Sequence, residues 1–254
     1  MVRKALAFAV GFGLLSSAYA LDMSGGGGAF LGSNFGGGLK ASFPGITLLE
    51  ANTPYTGGGV YGFLDAQYVE VSAGIMFTGG KIKLKSDLND LGDFGGGEFD
   101  DDDFDDDEFD DMFNDLLAGE PKTSGTLLNL GLLFKYPFPA SESVTLFTAA
   151  GFEYSICLSQ KIEDEKLEKA GDNSRLWFKF GGGADFELSK NIYLRASLFY
   201  GIGMKNKLEK DLGKFANDML EYMDDEMGGL AEFISVKAVT AYSLDIKAGI
   251  GFRF

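Results

Sequence analysis

The sequence predicts an all-β chain: an eight-stranded, up-and-down antiparallel barrel that crosses a bilayer, with a short amphipathic helix in its last long connection. Three observations carry the prediction. First, residues 238–254 alternate without a break: Ala238, Thr240, Tyr242, Leu244, Ile246, Ala248, Ile250, Phe252 and Phe254 share one face, while Ala241, Ser243, Asp245, Lys247, Gly249, Gly251 and Arg253 share the other. A run of about seventeen residues is long for a soluble strand and suits one tilted across a membrane, with one face to lipid and one to a polar interior. Second, after the amino-terminal segment no stretch approaches the roughly twenty apolar residues of a spanning helix, and the mean hydropathy is only +0.02. Third, the connections between alternating segments run long, short, long, short along the chain, the rhythm of a barrel with both termini at one end.

Residues 1–20 read as a cleaved signal peptide. Arg3 and Lys4 precede an apolar run from Ala5 to Leu15, and Ser16-Ser17-Ala18-Tyr19-Ala20 ends in the small-x-small pattern cut by signal peptidase. The barrel then occupies 21–254, with long loops at about 42–55, 84–124, 160–173 and 206–235. A first strand runs from near Gly28 to about Ala41 and a second from Thr56 to Leu64, their register blurred by glycine. A turn at Asp65-Ala66-Gln67 leads to a third strand from Tyr68 to Lys83, where Val69, Val71, Ala73, Ile75 and Phe77 alternate with Glu70, Ser72, Gly74 and Met76.

The fourth strand sets Thr126, Leu128, Leu130, Leu132, Phe134 and Tyr136 on one face, with its turn expected at Pro137-Phe138-Pro139-Ala140-Ser141, where proline costs no ladder bond. The fifth carries Val144 through Leu158 outward on even numbers. The sixth runs from Arg175 to Leu188, and the seventh from Ile192 to Lys205 after the tight turn Ser189-Lys190-Asn191. An even strand count lets the first and last strands pair, so that no backbone edge faces lipid.

Eight strands enclose an interior that side chains can fill. The inward positions include Glu70, Lys135, Glu153, Lys179, Asp185, Arg195, Asp245, Lys247 and Arg253. Both signs are present, so these residues are expected to form an ion-paired polar core, or alternatively to gate a narrow conducting path, because an unpaired buried charge costs several kcal/mol.

In the last loop, Leu208, Leu212, Phe215, Met219, Tyr222, Met223 and Met227 recur at three- and four-residue steps before Gly228-Gly229, which predicts an amphipathic helix over one mouth. It reads as a cap on neighbouring loops, or as a lid or partner-binding face. Residues 98–116, EFDDDDFDDDEFDDMFNDL, are acidic with periodic Phe, and read as a solvated loop. Asp101, Asp102, Asp103, Asp105, Asp106 and Asp107 could collect Ca²⁺ or Mg²⁺ loosely, although the spacing departs from an EF-hand. Its Phe side chains could instead insert into a basic partner.

With 22 basic against 38 acidic residues, nucleic acid is not an expected partner. The chain has no histidine, which removes the usual base of lipase, acyltransferase and protease mechanisms, so no enzymatic role is expected. The lone Cys157 cannot form an internal disulfide, and none of the glycine runs continues into the Lys-Ser/Thr of a phosphate loop.

The segment FGGGADFELSKNIYLRASLFYGIG and the ending AGIGFRF look most like known proteins. Together with the alternation of loops and turns, they make the chain resemble the small eight-stranded outer-membrane barrels of the OmpA-domain, OmpX and OmpW kind, across nearly all of the mature chain. The terminal Phe254 resembles the signal read by the barrel-assembly machinery. The resemblance implies a bacterial outer-membrane location, contact with its lipid, and no resident cofactor. It leaves two functions: a structural or surface-interaction protein that meets host or envelope molecules through its loops, or, on the OmpW side of the resemblance, a channel or transporter for small hydrophobic solutes or ions.

Overall fold

The computed structural model describes residues 23–44, 46–85, 120–163, 165–223 and 234–254. Residues 1–20, expected to be a signal peptide, and the acidic residues Asp101, Asp102, Asp103, Asp105, Asp106 and Asp107 lie outside the described residues. Strands are β1 (Met23–Phe43), β2 (Ile46–Asn52), β3 (Tyr55–Ala66), β4 (Val69–Lys81), β5 (Lys83–Lys85), β6 (Lys122–Ser141), β7 (Val144–Ile162), β8 (Glu165–Lys166), β9 (Arg175–Ser189), β10 (Ile192–Gly203) and β11 (Ser235–Arg253). Among the described residues a helix, α1 (Lys207–Met223), follows β10, and a 3-10 turn spans Ala170–Asn173.

Among the described residues, eight of these strands form an antiparallel ring in the order β1, β3, β4, β6, β7, β9, β10, β11, and β11 returns to β1. That closing ladder runs from Ser24 opposite Arg253 to Ser42 opposite Ser235. Closure removes every edge from the spanning region, where no water could satisfy an unpaired amide.

The outward face is apolar along the length of the ring. Val60, Phe77, Leu130, Phe152, Leu198 and Ile246 are all exposed, and the described outward positions between the rims carry no charge. Aromatic side chains concentrate near both rims. Towards the loop end, Phe152, Phe178, Phe180, Tyr200 and Tyr242 follow one another around the wall with ring centroids 5.4–6.3 Å apart. A surface of this kind is stable only against hydrocarbon. The chain is a transmembrane β-barrel.

The elements depart from the expected bounds in several places, beginning with β1, which starts at Met23 and not near Gly28. The turn expected at Pro137 to Ser141 is displaced: β6 continues through both prolines, with Pro137 opposite Phe147 and Pro139 opposite Thr145, and the chain reverses at Glu142-Ser143. The Lys135 amide donates to Tyr68 O on the β4 side, and residues 137 and 139 face the same way, beyond the point where β4 has turned back. Proline there loses no ladder bond.

The turn expected at Asp65-Ala66-Gln67 lies at Gln67-Tyr68, with Gln67 left-handed at φ 54°. Asp65 therefore stays in β3 and faces the lumen. The first long connection is itself a hairpin, in which β1 runs on to Phe43 and pairs with β2. Gly36, Gly37 and Gly38, all at positive φ, bend β1 from its partner β3 to its partner β2. Finally, α1 begins one residue before the expected Leu208, and its described part ends at Met223.

Candidate functional site

The lumen is built in layers. Nearest the turns lies Arg195 on β10. Its Nε donates to Asp185 Oδ1 at 2.7 Å and its Nη2 to Asp185 Oδ2 at 2.8 Å, a bidentate pair across the β9–β10 ladder. The same guanidinium reaches Glu70 at 2.7 Å and Asp65 at 2.8 Å on the far wall. Lys135 donates to Asp65 and lies 3.9 Å from Asp185. Phe63, Phe147 and Tyr193 surround Arg195, 4.4, 5.0 and 5.3 Å from its guanidinium carbon. Planar stacking and fork-shaped donors are why an arginine, not a lysine, serves three carboxylates at once.

The next layer centres on Glu153. Its two oxygens accept from Lys179 and Lys247, both at 3.4 Å. Lys179 also donates to Asp245 and, at 2.8 Å, to Ser243 Oγ. Lys247 sits over the rings of Phe30, Tyr61 and Phe199. Glycine opposite these long side chains makes the room: a Cβ at Gly201 would lie 2.9 Å from Lys179 Cδ, and one at Gly251 2.2 Å from the Tyr193 ring.

Of the nine residues read as a lumen network, the structure brings eight together: Glu70, Lys135, Glu153, Lys179, Asp185, Arg195, Asp245 and Lys247, all buried. Arg253 stands apart. It pairs with Glu187 at 2.7 Å on the turn rim, with its side chain 38% exposed. Asp65, Arg175 and Glu209 are buried as well and stand outside those nine. Asp65 looked like a turn residue, although the period of Tyr61 and Phe63 continues through it. Glu209 belongs to the helix.

At the loop end, Arg175 on β9 donates from Nη2 to Glu209 and lies beside the Trp177 ring, 5.5 Å away. Glu209 is the third residue of α1. Its Oε2 accepts the Asn206 amide at 3.1 Å while Asn206 Oδ1 accepts the Glu209 amide at 2.8 Å. This reciprocal cap, spelled Asn-x-x-Glu, seals the helix start and leaves Glu209 Oε1 for the barrel. The helix is thereby tied to the lumen by one ion pair. At the surface Lys207 holds Asp172 of the 3-10 turn at 3.2 Å and Asp211 at 3.4 Å, and the two carboxylates raise its pKa.

Between α1 and the ion pairs lies a cavity of about 280 Å³. Leu39, Ala51, Ile82, Leu127 and Ile162 give it apolar walls, with Arg175 among its polar residues. Below it the free space between Tyr55, Leu127, Trp177 and Lys179 shrinks to about 10 Å³, about the room of one water molecule. The described lumen is therefore narrowed at mid-height by its own side chains. Among the described residues, no group of three or more acidic or sulfur side chains is placed to hold a metal ion.

No protein-family model matches the chain, and no curated protein does. Solved structures with which it aligns are membrane barrels. The outer membrane protein OprG from Pseudomonas aeruginosa aligns over 92% of this chain and 96% of its own, at 11% identity and a TM-score of 0.45. Neisserial surface protein A aligns over 89% and 97%, at 10% identity and 0.38. Ail, the attachment invasion locus protein of Yersinia pestis, solved with the heparin analogue sucrose octasulfate, aligns over 92% and 100%, at 12% identity and 0.32. The assignment as a closed barrel stands on the chain's own ladders.

Proposed function

We propose that this protein is an outer-membrane barrel that acts at the cell surface through its loops, with the barrel as their anchor. The observation that carries the reading is the packed lumen: two layers of paired charges and aromatic rings fill the space a pore would need, and every charge in them has a partner. The long connections gather at one end, which on this reading faces outside, where they are available to host or envelope molecules. Phe254, 79% exposed at the opposite rim, suits recognition by assembly machinery from the periplasm. Loose Ca²⁺ or Mg²⁺ binding by residues 101–107 belongs to the same reading, as does the absence of catalysis.

The test is planar-bilayer conductance of the refolded mature protein, with and without millimolar Ca²⁺. A heat-resistant folded species that stays electrically silent in both is expected. Stable channels of uniform size would overturn the anchor reading.

The outer cavity favours a second reading, uptake of a small hydrophobic solute. Its apolar walls would take such a molecule from outside, and release would require the side chains below it to move. Solute flux into protein-loaded liposomes above that of empty ones would establish it, and equal flux would remove it.

A further inference from the structure

A second hollow lies outside the barrel, a shallow groove of about 690 Å³ across the loop end of β1, β3, β4 and β6. It exists because the outward residues there are small: Thr56, Gly79 and Ser124 form exposed floor positions, while the half-exposed Phe35 stands beside them. The β1–β3 ladder ends there, at the pair Asn34–Tyr55. Lys81, Lys83 and Lys122 border the groove, with Glu163 as the acid among its lining residues.

Its height on the wall indicates what it meets. Going up β4, the outward positions pass from Ile75 and Phe77 to Gly79 and Lys81; going up β6, they pass from Leu130 and Leu128 through Thr126 and Ser124 to Lys122. Four residues of strand span about 13 Å, less along the membrane normal in a tilted strand. The lysines therefore stand one headgroup above the apolar belt. Lys81 is engaged by Glu120 at 2.6 Å. Among the described residues, neither the Lys83 nor the Lys122 ammonium has a carboxylate within ion-pair distance, and Glu163 Oε1 accepts the Lys122 backbone amide at 3.1 Å.

We propose that this groove holds a phosphorylated glycolipid of the outer leaflet. Its acyl chains lie on the belt around Phe77 and Leu130, its sugars on the small-residue floor, and a phosphate against Lys83 and Lys122. The proposal rests on the reading that the loop end faces outside. Charge complementarity selects the phosphate, and continuity with the lipid-facing wall selects a lipid over a soluble anion.

The experiment uses the purified, folded chain in detergent micelles. Binding of bisphosphorylated lipid A, of the same lipid with its phosphates removed, and of inorganic phosphate is measured by native mass spectrometry against added salt. The comparison is between the unaltered protein and a Lys83→Ala, Lys122→Ala double variant, whose substitutions lie on exposed residues. A Phe35→Ala variant tests the apolar side of the groove. Expected are salt-sensitive binding of the phosphorylated lipid, a loss of about thirtyfold in the double variant, and weak binding of the dephosphorylated lipid that the variant does not change. Equal binding by protein and double variant overturns the proposal, as does equal affinity for the dephosphorylated lipid or for inorganic phosphate. Orientation is read separately, by protease shaving of loops on intact cells, so failure of the site and failure of the surface reading are distinguishable.

Discussion

Arg195 concentrates the logic of the interior in one side chain. Removing it leaves Asp185, Glu70 and Asp65 facing one another in a lumen where each is at most 6% exposed, with Lys135 the remaining cation beside them. Breaking one side of a buried ion pair costs about 3–5 kcal/mol. Arg195→Gln is expected to lose stability of that order in urea titrations of the barrel folded into lipid vesicles. Arg195→Lys should recover only part of it, because an ammonium cannot reproduce the bidentate contact with Asp185 or the stacking on Phe63. If Arg195→Gln unfolds with the midpoint and slope of the unaltered protein, the charges contribute nothing to stability. That Arg195 points inward was legible from strict alternation in β10. That it meets Glu70 was not: those residues are 125 positions apart on walls that do not touch through the ladder, and no local pattern encodes a contact across a lumen.

The elements divide in the same way. Strand alternation was plain because each wall residue faces either lipid or lumen, so period two is enforced along the whole ladder. Strand ends were less plain: β6 runs through two prolines because its missing neighbour, not its own sequence, decides where an amide can be spared. The helix was readable from its apolar spacing, and Asn206 with Glu209 fits a capping box, but the link from Glu209 to Arg175 depends on where the loop lands. Glu209→Ala should cost the cap about 1 kcal/mol and leave Arg175 without its carboxylate. The expected outcome is faster amide exchange through residues 207–212, a loss of barrel stability approaching the about 3–5 kcal/mol of a broken buried pair, and a shift in the emission of Trp177, the protein's single tryptophan. Exchange that stays slow in the variant would mean that other contacts hold the helix. At the rim, Lys81 lowers the pKa of Glu120, chiefly through a hydrogen bond. A depressed carboxylate contributes above its ordinary range and loses that contribution as pH falls through its folded value. The β4–β6 clasp should therefore be intact at neutral pH and open in acid, seen as loss of the Lys81–Glu120 coupling by NMR. A coupling that persists in Glu120→Gln at neutral pH would show that charge is not its source.

For the whole molecule, the decisive property is that inside and outside are exchanged relative to a soluble protein: charges are buried and paired, while apolar side chains are exposed. Ile246, 55% exposed near the middle of β11, looks outward between Leu244 and Ala248, and its neighbours Asp245 and Lys247 look inward into ion pairs. In water Ile246→Arg would be harmless or helpful. In a bilayer it places a cation on the lipid face near mid-height, which costs about 2–4 kcal/mol there and close to nothing near the interface. Thr240, outward on β11 and close to the loop rim, serves as the comparison, because the same substitution there can reach the headgroups. Folding equilibria into vesicles should show Ile246→Arg destabilised by that amount and Thr240→Arg nearly neutral. Equal effects at the two positions would contradict a membrane-spanning belt, since no soluble barrel distinguishes depth along its outer wall.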